Sequence, residues 1–152
     1  MKKEALKAVT VLGLVIALAF ITAAASANGT AHSVRANIPF QFMVGNEALP
    51  AGEYTVRKLT EDAGAILINS TDGNSAAMRI TVAKQGTPSQ NKARLVFRKY
   101  GESYFLAEVW DGSSQGRALL KSKSERAAER EQSQIARGNA LPEIVTVFAD
   151  VE

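Results

Sequence analysis

The chain has 152 residues, a formal net charge of +3 from 18 basic and 15 acidic side chains, one histidine and no cysteine. The absence of cysteine excludes disulfides, thiolate metal sites and cysteine nucleophiles. A single imidazole cannot assemble a histidine-rich zinc site.

Lys2, Lys3 and Lys7 precede an apolar run over 8–25 that ends in Ala25-Ser26-Ala27. A basic start, an apolar stretch and a small-x-small site predict a cleaved secretory signal over 1–27; the alternative is an uncleaved anchor. A lipoprotein anchor is excluded, because it needs a cysteine. Removing 1–27 takes three lysines and one glutamate, so the net charge falls from +3 to about +1. That balance does not predict nucleic-acid binding, which calls for clustered Lys and Arg. The expected product is residues 28–152, one β-rich domain exported to the periplasm or beyond, with no stable membrane insertion after cleavage.

Beyond a short polar lead-in, residues 33–44 alternate apolar and polar, with Val34, Ala36, Ile38, Phe40, Phe42 and Val44 on one face. That is the period of a half-buried strand. Pro39 lacks an N–H, which predicts an edge strand or a bulge there. Gly45-Asn46 breaks the run, Leu49-Pro50-Ala51-Gly52 makes a corner, and a second strand covers about 53–58. Residues 65–69 and 76–83 predict two more strands, with Asp72-Gly73 as a hairpin turn between them. Residues 93–111 hold two aromatic-rich strands around a tight turn at Tyr100-Gly101-Glu102-Ser103. In the second of these Phe105, Ala107 and Val109 form an apolar face that predicts the core side. Tyr104, Leu106, Glu108 and Trp110 form a mixed face.

A short strand over 117–120 is followed by a helix over 122–137. Ser122 and Glu125 have capping-box spacing, and Gly138 stands where a C-terminal cap is expected. Ile135 is the helix's one large apolar residue, so the helix is expected to lie lightly on the sheet. Residues 143–151 make a last strand. These elements predict a small antiparallel β-sandwich or barrel of seven to eight strands, with one helix before the last strand.

The motifs Ile38-Pro39-Phe40-x-Phe42-x-Val44-Gly45, Leu49-Pro50-Ala51-Gly52-x-Tyr54-x-Val56 and Leu95-Val96-Phe97-x-x-Tyr100-Gly101-x-x-Tyr104-Phe105-Leu106-x-Glu108-Val109-Trp110 resemble a group of small secreted bacterial proteins of unknown function. The resemblance spans most of the residues after the signal. It implies export and a shared β-rich fold, and brings over no activity, ligand or catalytic residue.

Catalytic machinery is not expected. His32 lies five residues past the expected cleavage point, where termini are usually mobile, whereas a triad needs its imidazole held rigidly. Glu108 with Asp111 or Glu102 could form a glycosidase-like pair. The competing reading gives Glu108 a cross-strand cation, Arg94, Arg98 or Lys99. No P-loop or dinucleotide fingerprint is present, and no cofactor is expected.

The mixed face supports a binding reading, with Tyr104, Trp110, Glu108 and Arg98 as ligand-contacting residues; the alternative buries these aromatics. Arginines 126, 130 and 137 alternate with glutamates 125, 129 and 131, the pattern of a solvated helix. The function read from these features is a non-enzymatic exported domain that contacts an envelope or extracellular polysaccharide or a protein partner. The alternatives are a small carboxylate-dependent glycan hydrolase and an envelope assembly subunit that pairs through the strand containing Pro39.

Overall fold

The structure is a computed structural model, described here over residues 33–59, 64–86, 92–138 and 141–152. The expected signal over 1–27, His32 and Pro88 lie outside these residues. In chain order the strands are β1 (Ser33–Ile38), β2 (Phe42–Val44), β3 (Glu47–Leu49), β4 (Gly52–Lys58), β5 (Ala65–Ser70), β6 (Ala76–Gln85), β7 (Ala93–Tyr100), β8 (Ser103–Asp111) and β9 (Gln115–Leu119). Helix α1 (Lys123–Ile135) follows, then β10 (Glu143–Phe148) and β11 (Asp150–Val151). The fold is mainly β and sandwich-like, with a helix before the last strands, as the sequence pattern predicts.

Two segments change sheets, and they make the corners. Residues 76–80 of β6 pair with β5, while residues 81–85 pair with β9. At that corner the Thr81 hydroxyl donates to the Gly64 carbonyl at 3.1 Å, and the Thr81 N–H donates to the same oxygen. The second corner lies in the C-terminal segment, where β10 pairs with β7 and, one residue past Ala149, β11 pairs with β1. Hydrogen-bonded neighbours run β10-β7-β8-β9-β6-β5-β4-β1-β11, and among the described residues no strand pair closes this path.

Among the described residues eleven strands stand where seven or eight are expected: the stretches over 33–44 and 143–151 each divide in two, and β3 forms within the segment expected as a turn. Pro39 ends β1 before β2 begins, so the 33–44 stretch becomes two strands. Strand β1 is not an edge: it pairs with β4 along its length and with β11 at Val34 and Arg35. Strand β2 turns back on the short β3 and runs parallel to β8. At the β5–β6 hairpin Gly73 takes φ +75°, as the Asp-Gly signal requires, and the Asp72 carboxylate accepts from the Asn74 N–H at 3.1 Å.

The core draws on both sheets. Phe42 meets Tyr54 and Phe97 edge to face, at 5.1 and 5.5 Å between ring centroids. Phe40 stacks on Tyr104 at 3.9 Å and meets the edge of Phe97 at 5.2 Å. The Tyr54 hydroxyl donates to the Pro50 carbonyl at 2.8 Å, so the Leu49-Pro50-Ala51-Gly52 corner is tied to a buried ring. The two N-terminal motifs are therefore packing motifs.

Helix α1 ends in a Schellman arrangement: the Gly138 N–H donates to the Ser133 carbonyl and the Arg137 N–H to the Gln134 carbonyl. The left-handed residue is Arg137, at φ 51°, one position before the glycine expected there. A side chain in that conformation costs about 1 kcal/mol. Arg137→Gly should therefore raise stability by about 0.5–1 kcal/mol, read as a small upward shift of the thermal midpoint; a lowered midpoint would contradict this cap.

Candidate functional site

Strand β8 carries a bulge that reassigns its faces. Val96 pairs with Glu108 and Phe97 with Leu106, so Ala107 is the extra residue. Directly paired residues share a face, so Tyr104, Leu106 and Val109 point inward with Lys99, Phe97 and Leu95, while Phe105, Glu108 and Trp110 point outward with Arg98, Val96 and Arg94. The expected core face Phe105, Ala107 and Val109 is thus corrected: Leu106 and Val109 are the members of the main core cluster. The expected binding face is divided as well, because Tyr104 and Trp110 lie on opposite sides of the sheet.

Trp110 is outward yet only 3 % exposed. Gly116, its partner on β9, and Gly86 leave room for the ring; a Cβ at Gly116 would stand 2.6 Å from it and one at Gly86 2.5 Å. The Arg94 guanidinium lies over the indole at 4.7 Å, a cation–π contact. The indole N–H donates to a Glu108 carboxylate oxygen at 2.9 Å, and Lys84 from β6 bonds the other oxygen. The cation paired with Glu108 is therefore Lys84, two strands away, in place of Arg94, Arg98 or Lys99. Asp111 is bonded by Lys58 at 2.9 Å and by the Ser113 hydroxyl at 2.6 Å. Burial raises the Asp111 pKa, but those donors outweigh it and hold the carboxyl below its ordinary value.

Arg98 serves a different structure. It forms a forked pair with Glu125, the first acid of α1, through Nε and through Nη2 at 3.2 Å. Glu125 is 2 % exposed and also faces the Tyr100 hydroxyl at 3.5 Å. Burial, with the nearby Glu125 carboxylate, pushes the Tyr100 pKa above its usual value. The Ser122 hydroxyl accepts from the Glu125 N–H at 3.1 Å, and Ser124 donates to the Gly45 carbonyl at 3.1 Å. These polar contacts hold the helix start, while Ile135 is exposed. The Ser122/Glu125 spacing signals the cap, but nothing in it signals that Glu125 turns inward to Arg98.

Sequence reasoning also missed a surface. Met78, Ile80 and Val82 alternate along β6 as a core face would, yet all three are exposed, Ile80 at 78 %, beside exposed Leu120. At their foot a cleft of about 450 Å³ is lined by Ala65, Met78, Ile80 and Leu120 with Arg79 and Asn46. A second cleft of about 420 Å³ is lined by Pro50, Ala51, Gly52 and Tyr54 together with Glu53, Ser70, Thr71, Asp72, Asn74 and Ser75. Its groups are largely bonded to one another: Ser75 N–H donates to the Ser70 hydroxyl, and both Asp72 oxygens accept from Asn74. Among the described residues no group of three or more His, Asp or Glu could hold a metal, and no helix is long and apolar enough to cross a membrane.

Comparison with protein-family models, with curated proteins and with solved structures returns no match.

Two outcomes follow from the positions of Trp110 and Glu125. Trp110 fluorescence should be blue-shifted and unchanged by polysaccharides, and Trp110→Ala should cost about 3–5 kcal/mol by denaturant unfolding. Red emission that a glycan moves to the blue would contradict the packing described here. Glu125→Gln should cost about 3 kcal/mol, since it leaves the part-buried Arg98 without its charge partner, and Arg98→Met with Glu125→Leu should regain most of the loss. Equal losses in the single and double variants would refute the coupling.

Proposed function

We propose that this protein is an exported, non-enzymatic β domain that works by contact with a protein partner, through the sheet face bearing Met78, Ile80 and Val82. The observation that carries the reading is the exposed apolar stripe on β6, continued by Leu120 around the cleft. Contiguous exposed apolar surface is costly for a protein in water, and its usual use is association. Arg79 borders the same cleft, donates through Nε to the Val44 carbonyl at 3.1 Å, and meets no carboxylate among the residues lining it. The partner segment that fits is apolar and carries an acidic side chain. Export rests on the N-terminal pattern and on the resemblance to small secreted proteins.

The catalytic alternative draws no support from Glu108, whose two oxygens are taken by Lys84 and Trp110. Polysaccharide binding keeps one location, the hydroxyl- and amide-lined cleft at Ser70–Ser75, whose polar groups suit a sugar.

A photo-crosslinking residue at Ile80, in the full sequence expressed in an exporting bacterium, should yield a discrete protein adduct. A control at exposed Glu131 should yield none, and Arg79→Glu should weaken the Ile80 adduct several-fold. No adduct at Ile80, with glycan retention that disappears in Asp72→Ala, would favour the polysaccharide reading instead.

A further inference from the structure

Strand β10 pairs with β7 on one side only, and among the described residues no strand pairs with its other edge. Which groups face that edge follows from one hydrogen bond. The Ala149 N–H donates to the Ala93 carbonyl at 3.0 Å. In an antiparallel ladder, bonded and non-bonded residues alternate. Val147, Val145 and Glu143 therefore turn their backbone groups toward β7, while Ile144, Thr146 and Phe148 turn theirs to the open edge. The side chains of these same three residues are exposed, whereas Val145 and Val147 pack on the core. The edge has no lysine, proline or bulge of the kind that normally blocks further pairing.

From this register we infer that β10 pairs antiparallel with β10 of a second copy, about a twofold axis at Thr146. Placed there, Thr146 faces its own counterpart, and Ile144 faces Phe148 of the other copy. All three outward N–H groups and all three outward carbonyls of each strand then find partners, in six backbone hydrogen bonds by the ladder rule. The same placement sets Ile144 against Phe148 and threonine against threonine, both favourable cross-strand pairs. Moving the axis to Val145 sets Phe148 against Pro142, which has no N–H. Moving it to Val147 sets Ile144 against Asp150, which already pairs with Arg35 of β1. Backbone phase, side-chain match and chain course agree on one register. This contact uses β10 and is independent of the β6 face, and it replaces the assembly edge expected at Pro39.

The test uses the full-length sequence, in which any introduced cysteine is the only one. Sedimentation over a range of concentrations should show a monomer–dimer equilibrium. Thr146→Cys should oxidise to a disulfide-linked dimer, because opposed residues in a bonded pair have Cα atoms about 5.5 Å apart. Ile144→Cys should not, because its counterpart lies about 13 Å along the strand. Thr146→Lys sets two like charges across the axis and should abolish the dimer with an unchanged circular dichroism spectrum. A monomer at every concentration overturns the inference. So does a dimer in which Thr146→Cys crosslinks no better than Ile144→Cys, or one that Thr146→Lys leaves intact.

Discussion

One inserted residue, Ala107, decides what the most aromatic strand of this protein can do. Without it, Tyr104, Leu106, Glu108 and Trp110 would share a face, and two rings with a carboxylate between them would resemble a carbohydrate platform. With it, the strand changes phase midway, so the first half packs Tyr104 and Leu106 inward and the second half packs Val109 inward. Strand β8 also changes neighbours about this point: β2 runs beside Tyr104 and Phe105, and β9 beside residues 108–110. A bulge bends a strand and increases its twist, which suits one strand that must serve two different partners on the same side. The core and the polar outer cluster both depend on that phase change.

The outer face of β7 and β8 is closed by polar chemistry. At one end Glu125 enters from α1 to meet Arg98 and Tyr100; at the other Lys84 of the long β6, Glu108 and Trp110 of β8 and Arg94 of β7 form a chain. Apolar covers could have been supplied by a longer or greasier helix, but α1 has only Ile135 to offer, and it points to solvent. Buried ion pairs contribute little net stability over well-packed apolar groups, yet they tolerate few alternative arrangements. The helix is thus held at its first turn, by Ser122, Ser124 and Glu125.

Much of this architecture was legible in the residues. The alternation over 33–44, the Asp72-Gly73 turn, the Tyr100-Gly101 turn and the Ser122 cap each act through local backbone chemistry, which a sequence displays. Pro39 predicts an edge strand or a bulge, and in the fold it separates two strands. Facing was less legible, because period two is lost wherever a bulge adds a residue, and no residue type marks Ala107 as one. The candidate site divides for the same reason: counting by two puts Tyr104 and Trp110 on a common face, and the bulge separates them. Lys84 was invisible as the partner of Glu108 because it comes from β6, which reaches β8 only across β9. The exposed stripe of β6 is not legible in the residues, since Met, Ile and Val at alternate positions carry no sign of which sheet face lacks a cover.

The C-terminal segment joins these features. Residues 143–148 line one sheet and residues 150–151 the other, with Ala149 as the only residue between, so one short stretch is the outermost strand of both layers. Its inner side chains, Val145, Val147 and Ala149, pack on the core that the two layers share. An event at the outer edge of β10 therefore bears on both sheets at once: a strand added there orders residues 143–148, and through Ala149 it restrains β11 against β1. The same stretch has an outward row of Ile144, Thr146 and Phe148 that is exposed, with Lys92 over the Phe148 ring. A monomer would keep such a row only at the hazard of uncontrolled edge pairing. Occupying it with a matching strand removes that hazard and stiffens one of the two segments that tie the sheets together.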